Sequence, residues 1–312
     1  MGLIENFKKN CRTVGKKYAV RHILWDIFGL DEYGEQLDTL FYFLNKYVDI
    51  KTLPPAHGNL REVQIGDTWL LKIFHEVCKK NHLTYWLDYG TLLGAYRHGG
   101  FIPWDDDMDV AMPRKDYERA VKFLELELKQ YGIQAKEELN EPMARIGIGY
   151  KHNKTGIWLD IFPVDDMNSS VPAVSAKMEM RKKMIKYRKY YLKKRFKISR
   201  EEMFSRRDEI MHLSEGDHKI WYHGQEFCIF QSIYDEKDIF PLTKVSFEQM
   251  EFWAPNNIEK YLKLTYGDYM KFPRGRVEHH HSELGPLSEW HVKSNTDMFV
   301  IHNELKNIIE LI

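Results

Sequence analysis

Four aspartates crowd into five positions at Asp105, Asp106, Asp107 and Asp109, with Met108 between the last two. Ionised together in one site, these carboxylates would repel one another. A hard divalent cation among them removes that conflict, because such ions prefer several oxygen ligands. Val110, Ala111 and Met112 follow as a short apolar run, which predicts a buried strand continuing from the acidic residues. Side chains alternate along a strand, so Asp107 and Asp109 are expected on one face and Met108 on the other. Upstream, Gly90-Thr91 ends the apolar stretch Tyr85-Trp86-Leu87. A glycine lets backbone approach a phosphate closely, and the N–H groups opening the next helix favour anions. A phosphate turn followed by a paired-carboxylate strand implies metal-dependent phosphoryl transfer.

Several neighbours have both a chemical and a structural reading. Arg97 and His98 stand just before Gly99-Gly100 and could contact phosphate oxygens. A salt bridge to a surplus aspartate is the alternative for Arg97. Asp105 and Asp106 exceed what a metal pair requires, so one could bind metal or a substrate amine while the other orients the loop. Asp88 lies in an otherwise apolar strand, where it either faces the site or makes a buried hydrogen bond. Asp165 and Asp166 follow Pro163 and are expected to shape a turn. Asp268 follows Gly267 and either reaches a nucleotide or caps a helix. Arg274, Arg276 and His279-His280-His281 form a basic cluster. Three consecutive histidines cannot all point one way, which argues against a triple-histidine metal site.

The elements that must position these residues follow from apolar spacing. Leu37, Leu40, Phe41, Leu44 and Val48 predict a helix before the Leu53-Pro54-Pro55 break. A second helix carries Leu70, Ile73, Phe74 and Val77. A first core strand is expected at Leu83 to Asp88, then a short helix from Thr91 to His98 ended by Gly99-Gly100. Asp116 to Tyr131 reads as a helix. Arg145 to Tyr150 and Gly156 to Phe162 read as strands, joined as a hairpin across Asn153-Lys154. After Pro172 the chain is expected to be mostly helical, returning to strand near Trp221 to Tyr234. The order predicts an α/β (α+β) fold: a mixed sheet flanked by helices, with helical N- and C-terminal extensions. The expected divisions are an N-terminal extension at 1–64, a catalytic domain at 65–275 and a C-terminal extension at 276–312. The catalytic domain has its core at 83–166 and a basic helical segment at 172–212.

From Tyr85 to Arg114 the chain resembles the signature of the LicD-type family, whose named members transfer phosphocholine from CDP-choline to cell-surface sugars. Fukutin and its relatives, which transfer ribitol phosphate, are more distant kin. The resemblance implies a nucleotidyltransferase-like fold with a Gly-Ser/Thr turn, an acidic-apolar-acidic strand and a third carboxylate on a later strand. Gly90-Thr91, Asp107-Met108-Asp109 and Asp160 within Trp158-Leu159-Asp160-Ile161-Phe162-Pro163 match these elements. Tyr266-Gly267-Asp268-Tyr269-Met270 resembles a further one, so the likeness runs from about Ile65 to Pro273. It implies Mg²⁺ or Mn²⁺ on Asp107, Asp109 and Asp160, with Asp160 also a candidate base. It implies a CDP-alcohol donor at the Gly90-Thr91 turn and a sugar acceptor on a surface polysaccharide or lipid-linked precursor. Arg97, His98, Asp88 and Asp268 remain the further donor-site candidates. The donor alcohol could be choline, ribitol or glycerol. A nucleotidyltransferase releasing pyrophosphate needs the same triad, and a non-catalytic relative would be expected to have lost one carboxylate. Tyr85, Trp86, Tyr89, Tyr96, Trp104 and Trp158 could face a quaternary ammonium, although aromatic residues are also ordinary core.

Composition sets outer limits. The chain has 312 residues, 43% of them hydrophobic and 29% charged, as in ordinary globular proteins. Cys11, Cys78 and Cys228 are too few and too scattered for a disulfide framework, so a reducing compartment is expected. Met1 to Asn10 lacks the apolar core of a signal peptide and no apolar run reaches membrane-spanning length, which predicts a cytoplasmic protein. Formal net charge is zero, yet Ala176 to Arg207 holds 14 Lys and Arg against 3 Glu. Lys182, Lys186, Lys189 and Lys193 recur at helical spacing, with Met180, Met184, Tyr187 and Tyr191 opposite. This amphipathic pattern is either a solvated helix face or a contact for an anionic acceptor polymer or the inner membrane face. No nucleic-acid-binding motif accompanies it.

Overall fold

The computed structural model describes residues 31–138, 145–194, 199–211, 216–223, 233–272 and 296–312. Arg274, Arg276, His279-His280-His281, Cys11 and Cys228 lie outside the described residues. The chain forms two compact units, one from residues 1–53 and 270–277 and the other from 54–269 and 278–312.

The first unit contains helix α1 (Asp31–Tyr47), which ends before a short 3-10 turn at Ile50–Thr52. Asp49 caps that turn by accepting from the Lys51 N–H at 3.0 Å, and Ile50 is buried. Phe41, Leu44 and Val48 are partly buried, whereas Leu37 and Leu40 of the expected face are exposed.

The second unit carries the sheet. Its elements run α2 (Gly58–Lys80), β1 (Trp86–Leu87), α3 (Tyr89–His98), β2 (Asp109–Pro113), α4 (Arg114–Lys129), β3 (Ile133–Glu138) and β4 (Arg145–Tyr150). Then come α5 (His152–Thr155), β5 (Trp158–Ser169), α6 (Ala173–Lys194), α7 (Arg200–Met211), β6 (His218–His223) and β7 (Ile233–Asp235). The chain continues with α8 (Glu236–Ile239), β8 (Thr243–Phe247), β9 (Met250–Ala254), α9 (Ile258–Tyr266) and α10 (Met298–Leu311). The main seven-stranded sheet has the order β1-β2-β5-β4-β3, with β6 on the far half of β5 and β7 on β6. Among the described residues only β2 and β5 pair in parallel; the other neighbours are antiparallel. The mixed α/β architecture agrees with the expectation from sequence.

The buried parallel pair explains the apolar runs. Val110, Ala111 and Met112 are fully buried, as are Leu159, Ile161 and Val164, because helices cover the sheet on which they lie. Helix α2 passes through position 64 without interruption and packs on β5, burying Leu70, Ile73, Phe74 and Val77 as its spacing predicts. Helix α10 packs along α2 and buries Met298, Ile301, Leu305 and Ile308 in the same core.

Several elements differ from expectation. The first strand shrinks to Trp86–Leu87, because the Leu83 N–H bonds the Cys78 carbonyl and the Thr84 N–H bonds Asp116. Asp165 and Asp166 form no turn, since β5 continues to Ser169. Pro163 falls between the end of the β4 ladder at Ile161 and the start of the β6 ladder at Val164, where its missing N–H costs little. Strand β3 was not expected, and neither was the β8–β9 hairpin, which makes the part after Pro172 less helical than expected.

Candidate active site

The acidic residues gather where β2 begins beside β5. Asp109 opens β2 and lies directly opposite Asp160 in the parallel register, which places both side chains on one sheet face. Asp107 precedes the strand and sits in the loop, correcting the expectation that it alternates with Asp109 on β2 itself. The pairing still extends one step back, because the Asp160 N–H bonds the Met108 carbonyl at 2.8 Å. Carboxylate oxygens of Asp105, Asp106 and Asp107 all lie within 4.8 Å of one another. This mutual cluster, rather than Asp107 with Asp109 and Asp160, is the one seen among the described residues.

Burial pushes the Asp109 carboxyl well above its usual range, and Asp107, Asp160, Asp105 and Asp88 push it further. Asp105 is raised for the same reasons, first burial and then Asp107 and Asp106. A third raised carboxyl, Asp67 of α2, was not anticipated. It is fully buried, accepts the Trp158 N–H at 2.8 Å, and leaves Oδ2 without a hydrogen-bond partner among the described residues. Burial is the main cause of its shift, followed by Asp107, Asp106 and Asp105. So much acid in one place is short of positive charge.

Asp160 is different. It accepts from Arg145 at 2.6 Å and from the Trp158 indole N–H at 2.7 Å, and is almost fully buried. The indole lies in a slot left by Gly147, the β4 residue opposite Asp160, where a Cβ would come within 2.0 Å of the ring. Neither Arg145 nor Trp158 as a carboxylate partner was foreseen.

Helix α3 aims its N-terminus at this cluster. Gly90 is its second residue, and a Cβ there would meet Asp105 Oδ2 at 2.5 Å. The close approach at this turn is therefore to a carboxylate of the acidic loop. The Thr91 side chain is buried and its Oγ1 accepts the Asp109 N–H at 2.8 Å, tying helix to strand. Gly99 closes the helix in the left-handed conformation. The acidic loop is gripped from two sides. Gln64 of α2 donates to the Asp105 carbonyl at 2.9 Å. Glu248, at the β8–β9 tip, accepts from Phe101 N–H and pairs with Arg61 at 2.6 Å, while its own N–H bonds the Gly99 carbonyl.

Other expected site residues lie behind or beside the cluster. Asp88 is fully buried and accepts from His223 Nε2 and from the Tyr261 hydroxyl at 2.9 Å, so it takes the buried hydrogen-bond role. His223 itself is buried and stacked on Tyr89 at 4.9 Å. Arg97 is buried and donates to the Tyr269 carbonyl at 2.6 Å in place of an aspartate salt bridge. Burial lowers its pKa to about 10, against the opposing pull of Tyr266 and Asp105. His98 is half-buried next to it. Asp268 is exposed in the turn after α9. Of the aromatic residues weighed for a cation, Tyr85 and Trp86 are completely buried core and leave no open face.

A different acid, Asp165, is paired. Arg114 holds it with two bonds of 2.9 Å and Arg207 approaches at 3.2 Å. Burial alone would raise its pKa, but the two arginines outweigh burial and lower it.

A strand pair with opposed carboxylates thus stands beside an acid-rich loop and a helix N-terminus. The family profile described as LicD/FKTN/FKRP, nucleotidyltransferase domain, matches residues 82–205. The chain is 30% identical over 245 residues to lipopolysaccharide cholinephosphotransferase LicD of Haemophilus influenzae, covering 69% of this chain and 92% of that protein. It is 27% identical over 120 residues to ribitol-5-phosphate transferase FKTN of Mus musculus, covering 38% of this chain and 24% of the relative. A 71-residue match at 35% identity links it to mannosyltransferase regulator 4 of Saccharomyces cerevisiae, covering 23% of this chain and 5% of that one. The chain belongs to the LicD/FKTN/FKRP family.

Proposed function

We propose that this protein transfers a phospho-alcohol, with phosphocholine the leading candidate, from a CDP-alcohol to a sugar hydroxyl of a surface glycan or its lipid-linked precursor. The acceptor oxygen attacks the phosphorus bearing the alcohol, the bond to CMP breaks, and the hydroxyl proton passes to a carboxylate. The observation that carries this reading is the opposed pair Asp109 and Asp160 beside the Asp105–Asp107 loop at the N-terminus of α3. The similarity over 69% of this chain to a cholinephosphotransferase favours choline, and the shorter similarity to a ribitol-5-phosphate transferase keeps ribitol phosphate as the second donor.

The donor set fits a hard divalent cation. It is all oxygen, its loop members Asp105, Asp106 and Asp107 are clustered, and burial has raised proton affinities at Asp105 and Asp109 that a cation would relieve. Asp107, Asp109 and Asp160 would hold Mg²⁺ or Mn²⁺, with Asp105 and Asp106 as further ligands. Such an ion neutralises charge on a transferring phosphoryl group and its leaving nucleotide. The remaining roles belong to the chain. The first N–H groups of α3, at Gly90 and Thr91 beside the acidic loop, would suit a donor phosphate. Arg145 shares Asp160 and could carry charge to the phosphate when that carboxylate turns to other partners.

No helix among the described residues is long and apolar enough to cross a membrane. We place the reaction in the cytoplasm, where CDP-alcohols are available. The test is a donor screen with CDP-choline, CDP-ribitol and CDP-glycerol against the organism's own surface glycan. CMP release with one donor is expected. Pyrophosphate release from a nucleoside triphosphate, without CMP from any CDP-alcohol, would overturn the reading in favour of nucleotidyl transfer.

A further inference from the structure

Helix α6 has two apolar faces. Ala173, Ala176, Met180, Met184 and Tyr187 are buried, packed with Ile220, Tyr222 and Ile233 of β6–β7 and with Met203 and Ile210 of α7. Met180, Met184 and Tyr187, expected opposite the lysines, therefore face the protein core. One helical face is thereby used up.

The second apolar face points away from the protein. Val174, Met178, Ile185 and Leu192 are 62%, 63%, 37% and 53% exposed. At the α-helical repeat these four side chains fall within about 40° of one another, roughly opposite the buried face. They form a ridge along a helix of 22 residues. Basic residues flank it on both sides. Lys182, Lys186, Lys189 and Lys193 border one edge, and Lys177, Arg181 and Arg188 border the other. None of these seven has a carboxylate partner among the described residues, whereas Lys183 and Lys194 of the same helix pair with Glu179 and Glu202. An exposed apolar ridge costs free energy in water, and a double row of unpaired cations costs more by mutual repulsion. A surface both apolar in its middle and anionic at its margins relieves both.

We propose that α6 is a membrane-surface helix. Its Val174–Leu192 ridge enters the headgroup–acyl boundary of an anionic bilayer while the flanking lysines and arginines meet lipid phosphates. The combination selects a bilayer over a soluble polyanion, because a polyanion would satisfy the cations and leave the ridge in water. It also selects against a second copy of this chain, since two such helices face to face would bring their cations together. The inference is independent of which alcohol the active site transfers.

The test uses the full chain and sedimentation with vesicles of phosphatidylcholine alone or mixed in equal parts with phosphatidylglycerol. Binding is expected only to the mixed vesicles, and it should weaken as salt rises. Two variants separate the contributions. The ridge variant carries Val174→Ser, Met178→Ser, Ile185→Ser and Leu192→Ser; the charge variant carries Lys182→Gln, Lys186→Gln, Lys189→Gln and Lys193→Gln. All eight side chains are exposed, so both proteins should keep the wild-type circular dichroism spectrum and melting temperature. Each should bind the mixed vesicles at least about tenfold more weakly. Unaltered binding by the ridge variant alongside loss in the charge variant would indicate a polyanion site and overturn the proposal. So would wild-type protein that ignores anionic vesicles, or a ridge substitution that converts a dimer to a monomer in the centrifuge.

Discussion

A buried carboxyl that holds its proton tightly makes a fold weaken as the solution turns alkaline. Asp67 is such a group, raised first by burial and then by Asp107, Asp106 and Asp105. Its contribution to stability is whole below the unfolded value of about 3.9 and is lost as pH rises toward its folded value. Asn at this position can still accept the Trp158 N–H and carries no charge. Asp67→Asn should therefore raise the melting temperature of metal-free protein at neutral pH and flatten its decline above about pH 4, as differential scanning calorimetry would read. Asp107→Asn and Asp109→Asn should lower turnover by orders of magnitude, about a hundredfold or more, in a CMP-release assay. Full activity of either variant, or of the wild type in excess EDTA, would remove the metal assignment. Gly90→Ala should fold normally yet displace Asp105, so calorimetry should find weaker cation and nucleotide binding. The aspartate run, the glycine turn and Asp160 were legible in the sequence because they are close together or match a known signature. Asp67, Gln64, Arg61 and Glu248 were not, because only the packing of α2 and the β8–β9 tip brings them to the acidic loop.

Between elements, the buried pairs act as fasteners. Asp165 of β5 joins Arg114 of α4 to Arg207 of α7. Asp165→Asn would remove the carboxylate shared by partly buried Arg114 and buried Arg207, leaving Arg207 with Asp208, and should cost about 3 kcal/mol in urea unfolding. The stability this pair supplies is present above the unfolded aspartate value and fades as pH falls through the lowered folded one. Reading the sequence alone makes Asp165 a turn residue, since Pro163-Val164-Asp165-Asp166 resembles one. The strand wins because its acid has partners that arrive from residues about fifty and forty positions away. Asp88 joins β1 to β6 and α9 in the same manner, through His223 and Tyr261. Tyr261→Phe removes one of those donors and should cost about 1–2 kcal/mol by the same measurement. Helix α4, expected at Asp116 to Tyr131, was legible to within two residues, and for α2 the buried face was legible though its start at Gly58 was not. The edge strand β3, with Ile133 and Ala135 inward and only polar Gln134 and Lys136 alternating with them, gave too weak an alternation to find.

In the larger unit, sequence-distant ends meet. Helix α10 lies on α2, with His302 Nε2 bonded to the Glu62 carbonyl at 2.8 Å and Lys306 over the Trp69 ring. Four buried apolar side chains make it part of the core that supports β5. Ending the chain after Thr296 should thus cost on the order of 5 kcal/mol and lower the soluble yield. Sequence showed that a terminal helix was present, but its partner depends on a contact across some 240 residues that no local pattern encodes.

The indole of Trp158 gives the centre an optical witness. Its N–H is bonded to Asp160, so the ring's absorption and emission are coupled to whatever that carboxylate holds. Drawing Asp160 toward a cation would break the bond, and the near-ultraviolet difference spectrum would record the event with no substrate present. Trp158→Phe should erase the signal while the other tryptophans stay silent. An enzyme of this type could therefore be titrated by light before anyone has identified the molecule it modifies.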